Sequence, residues 1–366
     1  MHTRARPACK MKCRTATDKT YTLSAIPRAP DAFHTLYAMQ ELRFFNLYQE
    51  DQRSVKAELA QGLQAAQAVT SPKYLYDALG SRLFDAITEL PEYYPTRTEA
   101  AIFDAQRAAI AAVLPKGAAW VDLGAGSCQK AAGWFAAARP ARYVAVDISV
   151  DYLRNTLRNL QQQHPGIAMA GVGMDFSTSL GLPIKLLADM TEQPIVAFYP
   201  GSSIGNFTPS EAQAFLQRIH ALCKQGSAGG GVLIGVDLVK ATGVLEAAYD
   251  DAIGVTAAFN LNMLRHINTL LGTDFEVRQW QHVALFNTVD SRIEMHVQAR
   301  KALTVRWSEG DRVIERKFAQ NERIHTENSY KWTLPGFSQL LANAGFASSQ
   351  VWTDAQAQFA VFWAAA

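Results

Sequence analysis

Between residues 97 and 238, short apolar runs alternate with amphipathic stretches, and this alternation constrains the fold more than any other feature of the chain. AAWVDLG (118–124), RYVAVDIS (142–149), IAMAGVGMDF (167–176), PIVAFYPGS (194–202) and GGGVLIGVDLV (229–239) each read as a buried strand. Between them SCQKAAGWFAAA, VDYLRNTLRNLQQQH and TPSEAQAFLQRIHALC read as helices. Ser149 opens the second. The third starts with Thr208 as cap, Pro209 in the first turn and Glu211 completing a capping box. A further helix is expected over 96–114, capped by Thr96 or Thr98. Strand and helix in turn imply a doubly wound, mostly parallel sheet.

After Val239 the rhythm changes. Residues 243–272 read as two successive helices, and HVALFNT, RIEMHVQARKALTVRW and ERIHTENSYKW as strands of a separate sheet. The chain then returns to type, with the helix LPGFSQLLANAG and a hairpin of FASSQVWTD and QFAVFWAA, which would close the parallel sheet with an antiparallel edge strand. The nucleotide-type domain is therefore read as interrupted. Its core is 97–238 and its last helix and hairpin 333–366. A discontinuous second α+β lobe takes 45–96 and 239–332, and residues 1–44 form a disordered basic extension.

A formal charge of +2 gives no reason to expect a nucleic-acid partner. No run of about 18 apolar residues suggests a membrane span, and the basic head lacks a secretory apolar core. Cys9 and Cys13 lie in that head; Cys128 and Cys223 are isolated, so neither zinc nor a disulfide framework is indicated and a cytoplasmic setting fits. The scattered histidines are not read as metal ligands.

VDLGAGSCQKAA places Gly124 and Gly126 after a strand and before a helix, where glycine lets the backbone turn sharply and approach a ligand. Gln129 stands where a dinucleotide fingerprint has its third glycine, which weakens an NAD reading, and no GK[ST] marks a P-loop. Asp147 ends the next strand, where an acid can accept both ribose hydroxyls. Asp175 and Phe176 end the third, placed to meet an adenine amino group and ring face. This set resembles class I S-adenosylmethionine methyltransferases and implies S-adenosylmethionine as cofactor.

Longer stretches narrow the resemblance. YLYDALGSRLFDAITELPEYYPTRTEAAI (74–102), GSSIGNFTP (201–209), DLVKATGVLEAAYDDAIGVTAAFN (237–260), RIEM (292–295) and TENSYK (326–331) resemble the ergothioneine-pathway histidine Nα-methyltransferases, from about residue 55 to the C-terminus. The resemblance implies a Rossmann-like class I sheet with the amino acid bound between the lobes. Asn206 and Tyr249 would hold its carboxylate. Tyr93 and Gly201 would belong to its pocket, and Tyr76, the one residue given a catalytic place, would lie by its amine. Met295 would line the side-chain pocket, and Glu327 and Ser329 would read the imidazole. Gly124, Gly126, Lys130, Asp147, Asp175 and Phe176 would hold the cofactor. The match departs at Ser127-Cys128-Gln129-Lys130, where the family commonly has Thr-Ser-Glu-Lys, and at Pro200, which could shift the loop presenting Asn206.

Two residues apart on a strand, Glu327 and Ser329 point to one face. A ring with two hydrogen-bonding nitrogens rewards that pair, and a charge-assisted bond there is worth roughly 1.5–3 kcal/mol. An indole has one N–H and a larger outline. The expectation is therefore methylation of free L-histidine to its trimethylated betaine, hercynine, in ergothioneine biosynthesis. The expected partner is a small amino acid, with no nucleic acid and no membrane, and the chain is read as a monomer. Another amino acid such as tryptophan, or a methyltransferase-like module without turnover, are the competing readings. The duller reading of Glu327 pairs it with Arg323 or Lys331.

Overall fold

The computed structural model describes residues 42–48 and 51–366. The basic head through residue 41, with Cys9 and Cys13, lies outside the described residues. Thirteen strands are described: β1 (Arg43–Asn46), β2 (Ala119–Leu123), β3 (Arg142–Asp147), β4 (Ala168–Gly173), β5 (Ile195–Tyr199), β6 (Gly231–Asp237), β7 (Trp280–Asn287), β8 (Arg292–Ala299), β9 (Leu303–Glu309), β10 (Arg312–Phe318), β11 (Arg323–Tyr330), β12 (Ser348–Thr353) and β13 (Phe359–Ala365). Eight form one sheet in the order β1-β4-β3-β2-β5-β6-β13-β12. Its central strands are parallel and β13 runs antiparallel to β6. This is the doubly wound arrangement that the alternation implies, with the chain switching sides at β2.

Every residue of β2, β4, β5 and β6 is buried, because helices cover both faces. On one face Val121, Leu123, Val144 and Val146 pack with Phe215 of helix Pro209–Cys223 and Phe337 of helix Leu334–Asn343. On the other, Trp120, Tyr143 and Phe198 pack with Phe103 of helix Tyr94–Ala105 and with Leu153 and Leu157 of helix Val150–Gln163. A third apolar core joins helices Gln52–Gln64, Ala78–Thr88 and Val255–Leu271 to the inner face of the sheet β11-β8-β7. Among the described residues no helix is long and apolar enough to cross a membrane.

Several expectations are corrected. Residues 43–46 form the parallel edge strand beside β4, so the large sheet includes residues assigned to the extension and to the second lobe. The antiparallel strand β13 is internal, and β12 is the edge. The helix expected over 96–114 starts at Tyr94, with Pro95 in its first turn, and breaks at Gln106 into Tyr94–Ala105 and Arg107–Val113. Its N-cap is Tyr93, with no side-chain cap from Thr96 or Thr98. Proline suits a helix start because the amide it lacks would be unpaired there anyway. The helix after the glycine turn is two short pieces, Gln129–Ala132 and Phe135–Ala138. Residues 292–307 break into β8 and β9, and β9 forms a hairpin with β10, which carries too little apolar patterning to be read as a strand. Ser149 is an N-cap by position but makes no side-chain cap bond.

Candidate functional site

The site is built where the parallel strands end. After β2, Gly124 and Gly126 have φ of +73° and +49°, a region that glycine enters without penalty. The amide of Gly126 donates to Asp147 Oδ2 (2.9 Å), and that of Ser149 to Asp147 Oδ1 (2.8 Å). Asp147 thus ties the β2 and β3 ends together and keeps lone pairs on both oxygens. Asp175 accepts from the Ser177 amide (3.0 Å) and hydroxyl. A Cβ added at Gly124 would meet the Phe176 ring at 3.6 Å, so that ring lies over the turn. A tight turn with two glycines, an acid with lone pairs to spare and an aromatic ring beside them fit an adenosyl group.

A cleft adjoins this turn. It is lined by Tyr76, Tyr93, Gly201, Asn206, Tyr249, Met295, Glu327 and Ser329, so all eight residues expected around the substrate come together. The six cofactor-side residues do not line it. Five stand at the ends of β2, β3 and β4, and the sixth, Lys130 in helix Gln129–Ala132, is joined to the cleft through Glu99. That carboxylate, 1% exposed, accepts the Gly201 amide on Oε1 (2.7 Å) and the Lys130 ammonium on Oε2 (2.8 Å).

Local sequence explains how the ring-facing pair is aimed. The register of β11 against β8 shifts between His325 and Glu327. A bulge there turns the alternation by one residue, so Ile324 before it and Glu327 and Ser329 after it face inward. Glu327 lies opposite Met295, and Ser329 opposite Ile293. The 3-10 turn Ser203–Asn206 packs against this strand, and Pro200 does not keep Asn206 from the cleft. Gly205 permits the contact, since a Cβ there would sit 2.9 Å from the Tyr330 carbonyl and 3.3 Å from Ser329 Oγ.

Glu327 is buried, and among the described residues it has no ion partner and its Oε2 no hydrogen bond. Burial pushes its carboxyl up to about 7, with Lys331 pulling the other way. Neither alternative partner takes it. Arg323 donates to Gln298 Oε1 (2.8 Å), and Lys331 pairs with Asp237 Oδ2 (2.8 Å). Lys331 also donates to Tyr249 OH (3.0 Å) and Ser329 Oγ (2.7 Å), and the Tyr249 hydroxyl donates to Ser329 Oγ (2.7 Å). Burial opposes the charge on Asp237, yet Lys331 and Lys240 hold its carboxyl below the usual range. Tyr94 donates to the same carboxylate (2.7 Å).

Sequence reasoning missed several of these residues. Glu99 and Asp237 are lone acids in apolar segments, and that was their available signal. Lys331 continues the alternation of Glu327 and Ser329. Phe84 and Phe259, whose rings pack on Tyr76 at 5.6 and 5.4 Å, also line the cleft, but in sequence they are indistinguishable from helix core.

Burial and then the charge of Glu327 hold the Tyr76 phenol well above its usual range, so it offers no phenolate at neutral pH. Among the described residues no cluster of three metal-ligating side chains occurs.

Comparison with known proteins finds a family and several relatives for this chain. Residues 55–366 match the family described as "Histidine-specific methyltransferase, SAM-dependent". The chain is 39% identical to a histidine N-alpha-methyltransferase of Mycolicibacterium smegmatis, over 84% of this chain and 93% of that one. It is 35% identical to a histidine N-alpha-methyltransferase of Mycobacterium tuberculosis, over 85% and 95%. It is 29% identical to the ergothioneine biosynthesis protein 1 of Neurospora crassa, over 76% of this chain and 31% of that protein.

Proposed function

Because this chain belongs to the histidine-specific, S-adenosylmethionine-dependent methyltransferases, we propose that its cleft holds free L-histidine and that it methylates the α-amine, up to the trimethylated betaine used in ergothioneine biosynthesis. The observation that carries the reading is Glu327, a buried carboxyl with, among the described residues, no ion partner and an unpartnered oxygen, on one face with Ser329 and opposite Met295. A buried polar atom without a partner is costly, and a ring N–H would satisfy it.

S-adenosylmethionine supplies an electrophilic methyl group carried on a sulfonium. The chain's own residues do the rest by holding and aligning. Asp147 would accept the ribose hydroxyls, Asp175 and Phe176 would meet the adenine, and the Gly124–Gly126 turn would admit both closely. Lys130, anchored by Glu99, brings a cation to the wall shared with the substrate cleft at Gly201. At the far end Glu327 and Ser329 orient the ring, and Met295 limits its outline. Asn206 faces the carboxylate, whereas the Tyr249 hydroxyl, expected there as well, already gives its hydrogen to Ser329 and takes one from Lys331. Tyr76, held as a neutral phenol, orients the amine rather than taking its proton as phenolate. A protonated amine cannot attack, and removal from water beside a positive charge lowers an amine's pKa. Catalysis here is chiefly alignment of amine and methyl. The rings of Tyr76, Tyr93, Phe84 and Phe259 can attract a quaternary ammonium as methyl groups accumulate.

The test is a screen of the common amino acids with methyl donor present, read by mass for stepwise gain of methyl groups. Calorimetry of histidine, tryptophan and tyrosine with S-adenosylhomocysteine bound runs alongside. Histidine should gain methyl groups and bind tightest. Methyl transfer to tryptophan but not histidine would overturn the reading.

A further inference from the structure

The Lys331 side chain has no solvent exposure and sits on the wall of the cleft behind Tyr249 and Ser329, which line it. Its place follows from backbone stitching. The Trp332 amide donates to the Asp237 carbonyl (3.0 Å) and the Val239 amide to the Trp332 carbonyl (3.0 Å), which fastens the end of β11 to the end of β6. The Lys331 ammonium therefore lies against the Asp237 carboxylate.

An ammonium has three donors and no acceptor. Lys331 uses all three, on Asp237 Oδ2, Tyr249 OH and Ser329 Oγ. The Tyr249 hydroxyl, accepting from Lys331, gives its own hydrogen to Ser329 Oγ. Ser329 Oγ then accepts twice, which fills both its lone pairs. Its own O–H is the single donor of this group left for a ligand.

Building on the histidine reading above, we propose that Lys331 is a positioning residue. It makes Ser329 an obligate donor, and so sets the cleft to take the ring of its substrate in the neutral form, with the bare nitrogen towards Ser329 and the N–H towards Glu327. An imidazolium carries N–H on both nitrogens and would set donor against donor at Ser329. The surrounding charges agree. Asp237 faces Lys331 from β6, with Lys240 and Tyr94 on the same carboxylate. Tyr249 comes from helix Thr242–Tyr249, and Glu327 stands on the strand of Ser329 itself, with Tyr76 and Tyr93 facing it.

The test compares L-histidine with 1,2,4-triazol-3-ylalanine, a near-isosteric substrate whose more acidic ring stays neutral through mildly acidic pH. The ratio of their KM values cancels titrations of the enzyme and of the amine. In the wild type it should rise about five- to tenfold from pH 7.5 to 5.5, as the histidine ring protonates near pH 6.5. Lys331→Met should raise the KM for histidine at pH 8 by about tenfold and flatten that ratio, with S-adenosylhomocysteine binding unchanged. Lys240 remains on Asp237 in that variant. A wild-type ratio flat with pH means that Tyr249 and Ser329 are reversed and the imidazolium is accepted, which overturns the proposal. A folded Lys331→Met enzyme that keeps the wild-type pH dependence overturns it as well. Failure of the wild type to bind histidine at any pH is a different result and removes the substrate reading on which this one stands.

Discussion

At the residue scale, the charge on Glu327 connects recognition to stability. Its folded carboxyl is raised by burial from an ordinary 4.5 to about 7, so the folded state binds a proton that the unfolded state releases. Without ligand, folding carries no penalty from this group below pH 4.5. The penalty grows as pH rises towards 7 and is constant above it, at roughly 3 kcal/mol. Glu327→Gln should therefore be more stable than the wild type at pH 8 by about that amount, with the gap closing as pH falls to 4.5. Denaturant melts at the two pH values check this, and an equal gap at both would refute it. The same site predicts that Glu327→Ala loses histidine affinity by at least about tenfold while S-adenosylhomocysteine affinity holds. Calorimetry measures both, and unchanged histidine binding would falsify the assignment of the ring to this carboxyl.

At the element scale, helix Pro209–Cys223 shows how much of a local structure its first turn specifies. The Thr208 hydroxyl accepts from the Glu211 amide, and the Thr208 amide in turn donates to Glu211 Oε2 (2.9 Å). Thr208→Ala should cost about 1 kcal/mol in equilibrium unfolding and leave KM for histidine unchanged. A loss near zero would mean that tertiary packing alone fixes this helix end. β11 is the contrasting case. Its alternation was legible, and Glu327 and Ser329 share a face as the two-residue period requires. The bulge at 325–327 was not legible, and it is the bulge that puts Ile324 and Glu327 on that same face although they are three residues apart.

At the scale of the whole molecule, the cleft is assembled from segments as distant as Tyr76 and Ser329. Ligands that engage it should raise the stability of the fold. With S-adenosylhomocysteine at a hundred times its Kd, stability should increase by about 2.7 kcal/mol, read as a higher Tm, with a further rise when histidine is added. No further rise would mean that the two ligands do not occupy the folded protein together.

From composition and period alone the chain determined its parallel sheet, the acids at the strand ends and the capped start of helix Pro209–Cys223, because each of these is set by neighbours within a few residues. The tertiary structure decided what those signals leave open. Lys331 falls to Asp237 instead of Glu327 because the ends of β11 and β6 are fastened backbone to backbone, bringing together residues some ninety positions apart. Glu327 is thereby left buried without a cation, and its unpartnered oxygen, a result of long-range packing that no local pattern encodes, is what suits the cleft to a ring nitrogen.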